Sequence, residues 1–202
     1  MSAIDINWAP CDTDFPKYFP FFCDEQQSPA PKTLSGITSL TFKHTAFVGT
    51  GGVYIYDTAN LQSISFPNLA SIESIEGNSG FFVSPLFQIY FNDYLTSVDL
   101  PSLSLLGGFK SCYMWIFSCP LLTNINMPLF TLGSVQNCEL KFNGNALTQP
   151  VVDSILARVD ASPVPTVAKT LRLDGGTNAA PSVAGLVSRA SLIGKGWTVT
   201  TN

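Results

Sequence analysis

A motif that recurs three times without gaps limits how this chain can fold more than any other feature. VYIYDTANLQSISFPNL begins at Val53, FQIYFNDYLTSVDLPSL at Phe87 and MWIFSCPLLTNINMPLF at Met114. Each reads apolar-x-Ile-x5-Leu-x2-Ile/Val-x-apolar-Pro. The matching residues are Val53, Ile55, Leu61, Ile64, Phe66 and Pro67, then Phe87, Ile89, Leu95, Val98, Leu100 and Pro101. Met114, Ile116, Leu122, Ile125, Met127 and Pro128 complete the third set. A unit this short cannot bury its apolar positions alone, so copies must stack and share a continuous core. The copies differ in length, and the extra residues belong in loops on one edge of the stack. Leu34 and Ile37 suggest an earlier unit, because Ile37 precedes Val53 by the same distance as Val98 precedes Met114. LKFNGNAL, Leu140 to Leu147, suggests a later unit of the form L-x-L-x-x-N-x-L, and LRLDGGTN from Leu171 starts the last.

The apolar-x-Ile start of each copy alternates as a strand does. Strands are therefore predicted near 53–56, 87–90, 114–117, 140–142 and 171–173, stacked in parallel, with each unit supplying the crossover that parallel pairing needs. The tail changes period. Thr148 is placed to cap a helix over Gln149–Asp160, with Pro150 tolerated in the first turn and Val151, Val152, Ile155, Leu156 and Val159 on one face. A second helix is predicted from about Pro181 to Ile193, with Val183, Leu186, Val187, Ala190 and Ile193 as its apolar stripe and Gly194 at C′. GWTVTTN then alternates as a final, polar edge strand. The expected class is an α/β solenoid with one parallel β-sheet, mostly loop on its other faces, and helices confined to the C-terminal part. Residues 1–32 are expected to be an extended arm rich in proline and aromatics, and residues 33–202 the solenoid, with a helical cap from about 148.

CPLLTNINMP, Cys119 to Pro128, resembles the C-x-x-L-x-x-I-x-apolar-Pro core of leucine-rich repeats of the BspA-like, treponemal type. LQSISFPNLASI and LTSVDLPSLSLL are similar to the downstream half of that core. The resemblance spans residues 34–175 and implies stacked, irregular leucine-rich repeats. Thr58 and Asn92 depart from it, standing where the third copy has Cys119. The segment from Leu173 to Asn202 resembles the ending of phage-encoded repeat proteins, which implies a virion component.

Composition narrows the chemistry. Hydrophobic residues make up 46 % and charged residues only 12 %, so a large core faces a surface of Ser, Thr, Asn and Gln. The net charge is −4 with ten Lys and Arg, too few and too scattered to release counterions from a nucleic acid. No run approaches the roughly 20 apolar residues of a membrane span. The N-terminus lacks the basic start and apolar run of a secretion signal, so synthesis in the host cytoplasm is expected. Five cysteines leave at least one thiol unpaired within a monomer. Cys112 and Cys138 each lie two residues before an inward strand position, so both are expected to be buried neighbours, with Cys119 buried as well.

Catalysis finds little support. His44 is the single histidine, in LTFKHTAF, with no G-x-S-x-G or similar nucleophile motif. Cys112 and Cys119 have no second pair to complete a zinc site. Carboxylates occur singly, and the glycines of LDGGTN match neither phosphate-loop pattern. Neither a catalytic residue, a metal nor a cofactor is expected.

Alternation leaves a second set of residues pointing outward. Tyr56, Tyr90 and Phe117 should form one column and Tyr54, Gln88 and Trp115 another, continued by Lys141 and Asn143 and then by Arg172 and Asp174. Tyr54, Tyr56, Gln88, Tyr90, Trp115, Phe117 and Lys141 are thus the candidate binding residues, suited to a host glycan or a protein partner. Phe15, Tyr18, Phe19, Phe21 and Phe22 form an aromatic cluster on the arm, placed either to cover the first unit or to dock on a neighbouring subunit. The expected function is non-enzymatic binding or adhesion at a phage virion surface or tail. The alternatives are a structural or decoration protein that spends the aromatic face and the arm on assembly, and a glycan-cleaving enzyme.

Overall fold

Alternating apolar and polar residues become strands here because each strand can hide its apolar half against the same positions of its neighbours. The computed structural model describes residues 2–5, 21–24, 37–42, 47–48, 53–58, 60–74, 86–108 and 111–202. Its first strands are β1 (Ser2–Asp5), β2 (Phe21–Asp24), β3 (Ile37–Thr41) and β4 (Phe47–Val48). The first aligned copy supplies β5 (Val53–Tyr56), β6 (Ser63–Ser65) and β7 (Ser71–Ser74). The second supplies β8 (Leu86–Tyr90), β9 (Ser97–Asp99) and β10 (Leu105–Gly108), and the third β11 (Ser111–Phe117) and β12 (Asn124–Asn126). Then come β13 (Asn137–Lys141), α1 (Gln149–Ala161), β14 (Lys169–Leu173), α2 (Val183–Gly194) and β15 (Thr198–Thr201).

The strands form three parallel sheets, none closed on itself. The largest runs β15-β14-β13-β11-β8-β5-β2, the second β1-β3-β6-β9-β12, and the third β10-β7-β4. From β2 to β10 the chain visits the three sheets in turn, and β11 and β12 take the first two places of the next circuit. β13, β14 and β15 all belong to the main sheet. The aligned circuits lie in register on one another. Val53 faces Phe87 and Phe87 faces Met114; Ile55, Ile89 and Ile116 line up likewise. On the second sheet Ile64, Val98 and Ile125 align. These residues are almost wholly buried, together with Leu61, Leu95 and Leu122 at one corner and Phe66, Leu100 and Met127 at the next. Each such side chain contributes on the order of 1.5–3 kcal/mol by leaving water.

The aligned motif and its strands stand where the sequence puts them, and the helices among the described residues all follow Thr148. Three expectations are corrected. The faces beyond the main sheet are not mostly loop: they carry the second and third parallel sheets. The triplets Ser63-Ile64-Ser65, Ser97-Val98-Asp99 and Asn124-Ile125-Asn126 are too short to announce a strand by periodicity, but stacking supplies their hydrogen bonds. The earlier unit is also displaced, because Leu40, not Ile37, pairs with Ile64 and shares its column. The third correction concerns α2.

Helix α1 follows the sequence: Val152, Ile155, Leu156 and Val159 are buried and Val151 packs beside them. Thr148 occupies the cap position without a side-chain hydrogen bond. Helix α2 is inverted. Its buried residues are Gly185 and Leu192, whereas Val183, Leu186, Val187, Ala190 and Ile193 are all exposed. Close approach to α1 explains this. Asp153 of α1 accepts a hydrogen bond from the Ser182 amide at 3.0 Å, and a Cβ on Gly185 would run into that same carboxylate. Only a small-residue face fits there. The left-handed glycine after α2 is Gly196 (φ 84°), not Gly194, which is still helical. It turns the chain so that Trp197, just before β15, is buried.

The stretch 1–32 contributes β1, beside β3, and β2, beside β5. Phe21 and Phe22 lie in β2; Phe15, Tyr18, Phe19 and His44 lie outside the described residues.

Candidate functional site

Five circuits end their strand in the main sheet with the same bend. Asp57, Phe91, Ser118, Gly144 and Gly175 follow one another in successive circuits, with φ of 52°, 54°, 53°, 70° and 75°. This left-handed backbone breaks the strand alternation, so the next residue turns inward: Thr58, Asn92, Cys119 and Asn145 are all buried. A ladder of side-chain amides grows there. Asn92 accepts from the Thr58 amide and hydroxyl at 3.0 and 2.7 Å and donates to the carbonyls of Ile55 and Tyr90 at 3.1 and 3.0 Å. Asn145 accepts from the Cys119 amide at 2.9 Å and donates to Ile116 and Phe142 at 2.7 and 3.0 Å. Asn178 repeats the pattern with Leu147, Phe142 and Leu173. Each Asn thus satisfies backbone groups that a corner would otherwise bury unpaired.

Outside this corner the two expected columns exist. Tyr56, Tyr90 and Phe117 are in register, as are Tyr54, Gln88, Trp115, Lys141 and Arg172. Tyr56 and Tyr90 stack with centroids 5.0 Å apart and planes 1° from parallel, and Tyr90 stacks on Phe117 at 5.2 Å and 11°. The middle ring, Tyr90, therefore has both faces covered by neighbours and turns mainly its edge outward. The Lys141 ammonium lies over the Trp115 ring, 3.8 Å from its centroid, and pairs with Glu139 at 3.2 Å. Asn143 and Asp174 continue the first column, with Asp174 paired to Arg172 at 3.3 Å.

Gln88 is corrected. It lies in the outward column yet is buried, because the large rings of Tyr54 and Trp115 flank it on both sides. Burial, and secondarily the charge of a deprotonated Tyr90, pushes the Tyr54 hydroxyl pKa up. The indole nitrogen of Trp115 and the side-chain oxygen of Asn143 are both shut off from solvent without a hydrogen-bond partner.

Two residues missing from the sequence-based set stand out. Phe91 is 53 % exposed and Tyr94 52 %. Phe91 sets its ring edge-on to Tyr90 at 5.3 Å and to Phe117 at 5.7 Å, extending the aromatic strip past the sheet. Strict alternation after Tyr90 would turn Phe91 inward; the left-handed bend turns it out. No period reveals such a bend, although Ser118, Gly144 and Gly175 at the same position of later circuits hint at one.

Cys112 and Cys138 face each other in register, with sulfurs 3.1 Å apart. Both are buried, as is Cys119, and all three are free thiols. The Cys119 thiol is pushed up to about 11, first by burial. The shared hydrogen bond with Cys112, and then burial, raise Cys138. At pH 8 only about a thousandth of Cys119 would be thiolate, the reactive form. Burial should make all three react slowly with a maleimide in the native protein, Cys119 faster as pH rises, and rapidly only once the chain is unfolded. Immediate labelling of all five cysteines in the native protein would contradict the burial described.

Among the described residues no three His, Cys, Asp or Glu side chains come together as metal ligands would. Nor is any of their helices long and apolar enough to cross a membrane. Comparison of the chain with protein-family models, with characterised proteins and with solved structures finds no match.

Proposed function

We propose that this chain is a solenoid of irregular leucine-rich repeats that acts as a non-enzymatic recognition module, gripping a protein partner through Phe91, Tyr94 and the edge of the aromatic strip. Phe91 carries the proposal. A bulky residue in left-handed backbone costs on the order of 1 kcal/mol or more, and exposing its ring forgoes the gain of burial. Later circuits put Ser118, Gly144 and Gly175 at the same bend, so the fold does not call for an aromatic there. A residue that is poor for folding and prominent at the surface has the profile of a binding anchor.

A protein suits this strip better than a glycan does. Sugars stack on open ring faces, and here the inner faces are taken by neighbouring rings and one Trp115 face by Lys141. Ring edges, hydroxyls and an exposed Phe fit pockets in a protein surface. On the same proposal the molecule is carried on a phage virion, the setting that the resemblance of Leu173 to Asn202 implies.

The test is retention by immobilised protein. Wild type and the F91A/Y94A double variant are exposed to the same host-envelope extract, and retained proteins are quantified by mass spectrometry. Loss of two anchors at about 2 kcal/mol or more each should weaken binding of the specific partner several hundred-fold or more, with stability lowered by no more than about 1 kcal/mol. Equal retention by both proteins, or binding to a glycan array that W115A abolishes, would overturn the proposal.

A further inference from the structure

The last helix turns its apolar side away from the protein. Val183, Leu186, Val187, Ala190 and Ile193 share one stripe, with Val183 82 % and Val187 67 % exposed. The opposite side of α2 carries buried Gly185 and Leu192, and Gly185 abuts Asp153 of α1. The stripe therefore looks away from α1, in the direction in which the circuits are added. β15 is the last strand of the main sheet on that side, and α2 packs against it. Among the described residues no strand pairs with the far edge of β15. One end of the molecule thus offers an unpaired strand edge beside an apolar helix face. The strand edge is of the same kind as the β14 edge on which β15 pairs.

We infer that this end is a self-association surface, where two copies meet about a twofold axis with β15 against β15 and α2 against α2. Charge favours a second copy over a foreign protein. A twofold axis sets a patch against itself, so any charge near the axis would meet its like. The only charged residue of α2 is Arg189, half-buried on the flank between the stripe and the Gly185 side, β15 has none, and Lys195 just past the helix is tied to Asp160. Strand geometry agrees: the axis makes the two β15 edges antiparallel, which is a sound pairing and joins the two main sheets into one. The area is sufficient but modest. A helix of this length spans about 18 Å, and helix and sheet layers lie about 10 Å apart, so each copy would bury an area near the lower end of a specific interface. A dimer that forms at micromolar concentration is the consequence.

Sedimentation velocity of the full chain from about 1 to 100 μM decides the matter. Wild type should pass from monomer to dimer across that range and go no further, because a twofold contact closes on itself. V187E and V183E place charge on already exposed positions and should melt with wild type, yet each should weaken dimerisation at least about tenfold. A V187E/V183E protein that still folds by circular dichroism but dimerises normally would overturn the inference. So would a wild type that stays monomeric throughout, or one that grows into open polymers.

Discussion

Replacing Asn145 by Ala is expected to lower stability by about 3–5 kcal/mol. Its side chain is buried and serves three backbone groups, the Cys119 amide and the carbonyls of Ile116 and Phe142. Stranding a buried donor or acceptor costs roughly 1–3 kcal/mol each, and no solvent reaches the corner to replace the amide. For a chain of this size the loss should appear as a fall in Tm on the order of 10 °C. Asn143→Ala, two residues earlier on the outward column, is the control. Its side-chain oxygen already lacks a partner, so its removal should change stability by less than about 1 kcal/mol. Equal melting of N145A and wild type would mean that the amide ladder is not what closes the corners.

Phe87→Ala should be about as damaging, at roughly 3–5 kcal/mol. Phe87 is fully buried, sits in register between Val53 and Met114, and meets the Phe66 ring edge-on at 5.5 Å. Truncation leaves a cavity that two stacked strands on either side cannot close. Trp115, on the other face of the same sheet, is the comparison. W115A loses the Lys141 contact and two edge contacts with Tyr113 and Phe117, a smaller sum of about 1–2 kcal/mol. Urea unfolding of the two variants measures the difference directly. W115A as destabilised as F87A would assign the tryptophan to the core.

The contrast between these residues shows what the sequence could reveal. Ile55, Ile89 and Ile116 repeat with fixed neighbours, and a repeat is legible because every copy must satisfy the same packing requirement. The register of the outward columns followed at once, since a period of two leaves no freedom once the inward set is known. The second and third sheets were not legible, because strands such as Ser63–Ser65 owe their existence to neighbours in space and have no period of their own. Gln88 shows a related limit: alternation states the direction of a side chain but not the size of the rings that cover it. Helix α2 shows the most instructive one. Apolar residues in a stripe normally mark the buried face, yet Gly185 beside Asp153 admits only small side chains, and the stripe is left outside. Alternation does not place Phe91 outside, because one left-handed residue reverses the pattern on which the outward columns depend.

If Phe91 is kept for contact and not for folding, the melting temperature of F91G reveals it without knowledge of any partner. Glycine at this position would match Gly144 and Gly175 and relieve the left-handed strain, worth on the order of 1–2 kcal/mol. Against that stand two edge contacts of a half-exposed ring, together about 1 kcal/mol. F91G should therefore melt with wild type or slightly above it. A fall equivalent to about 2 kcal/mol or more would make Phe91 part of the fold and remove the reason to read it as an anchor.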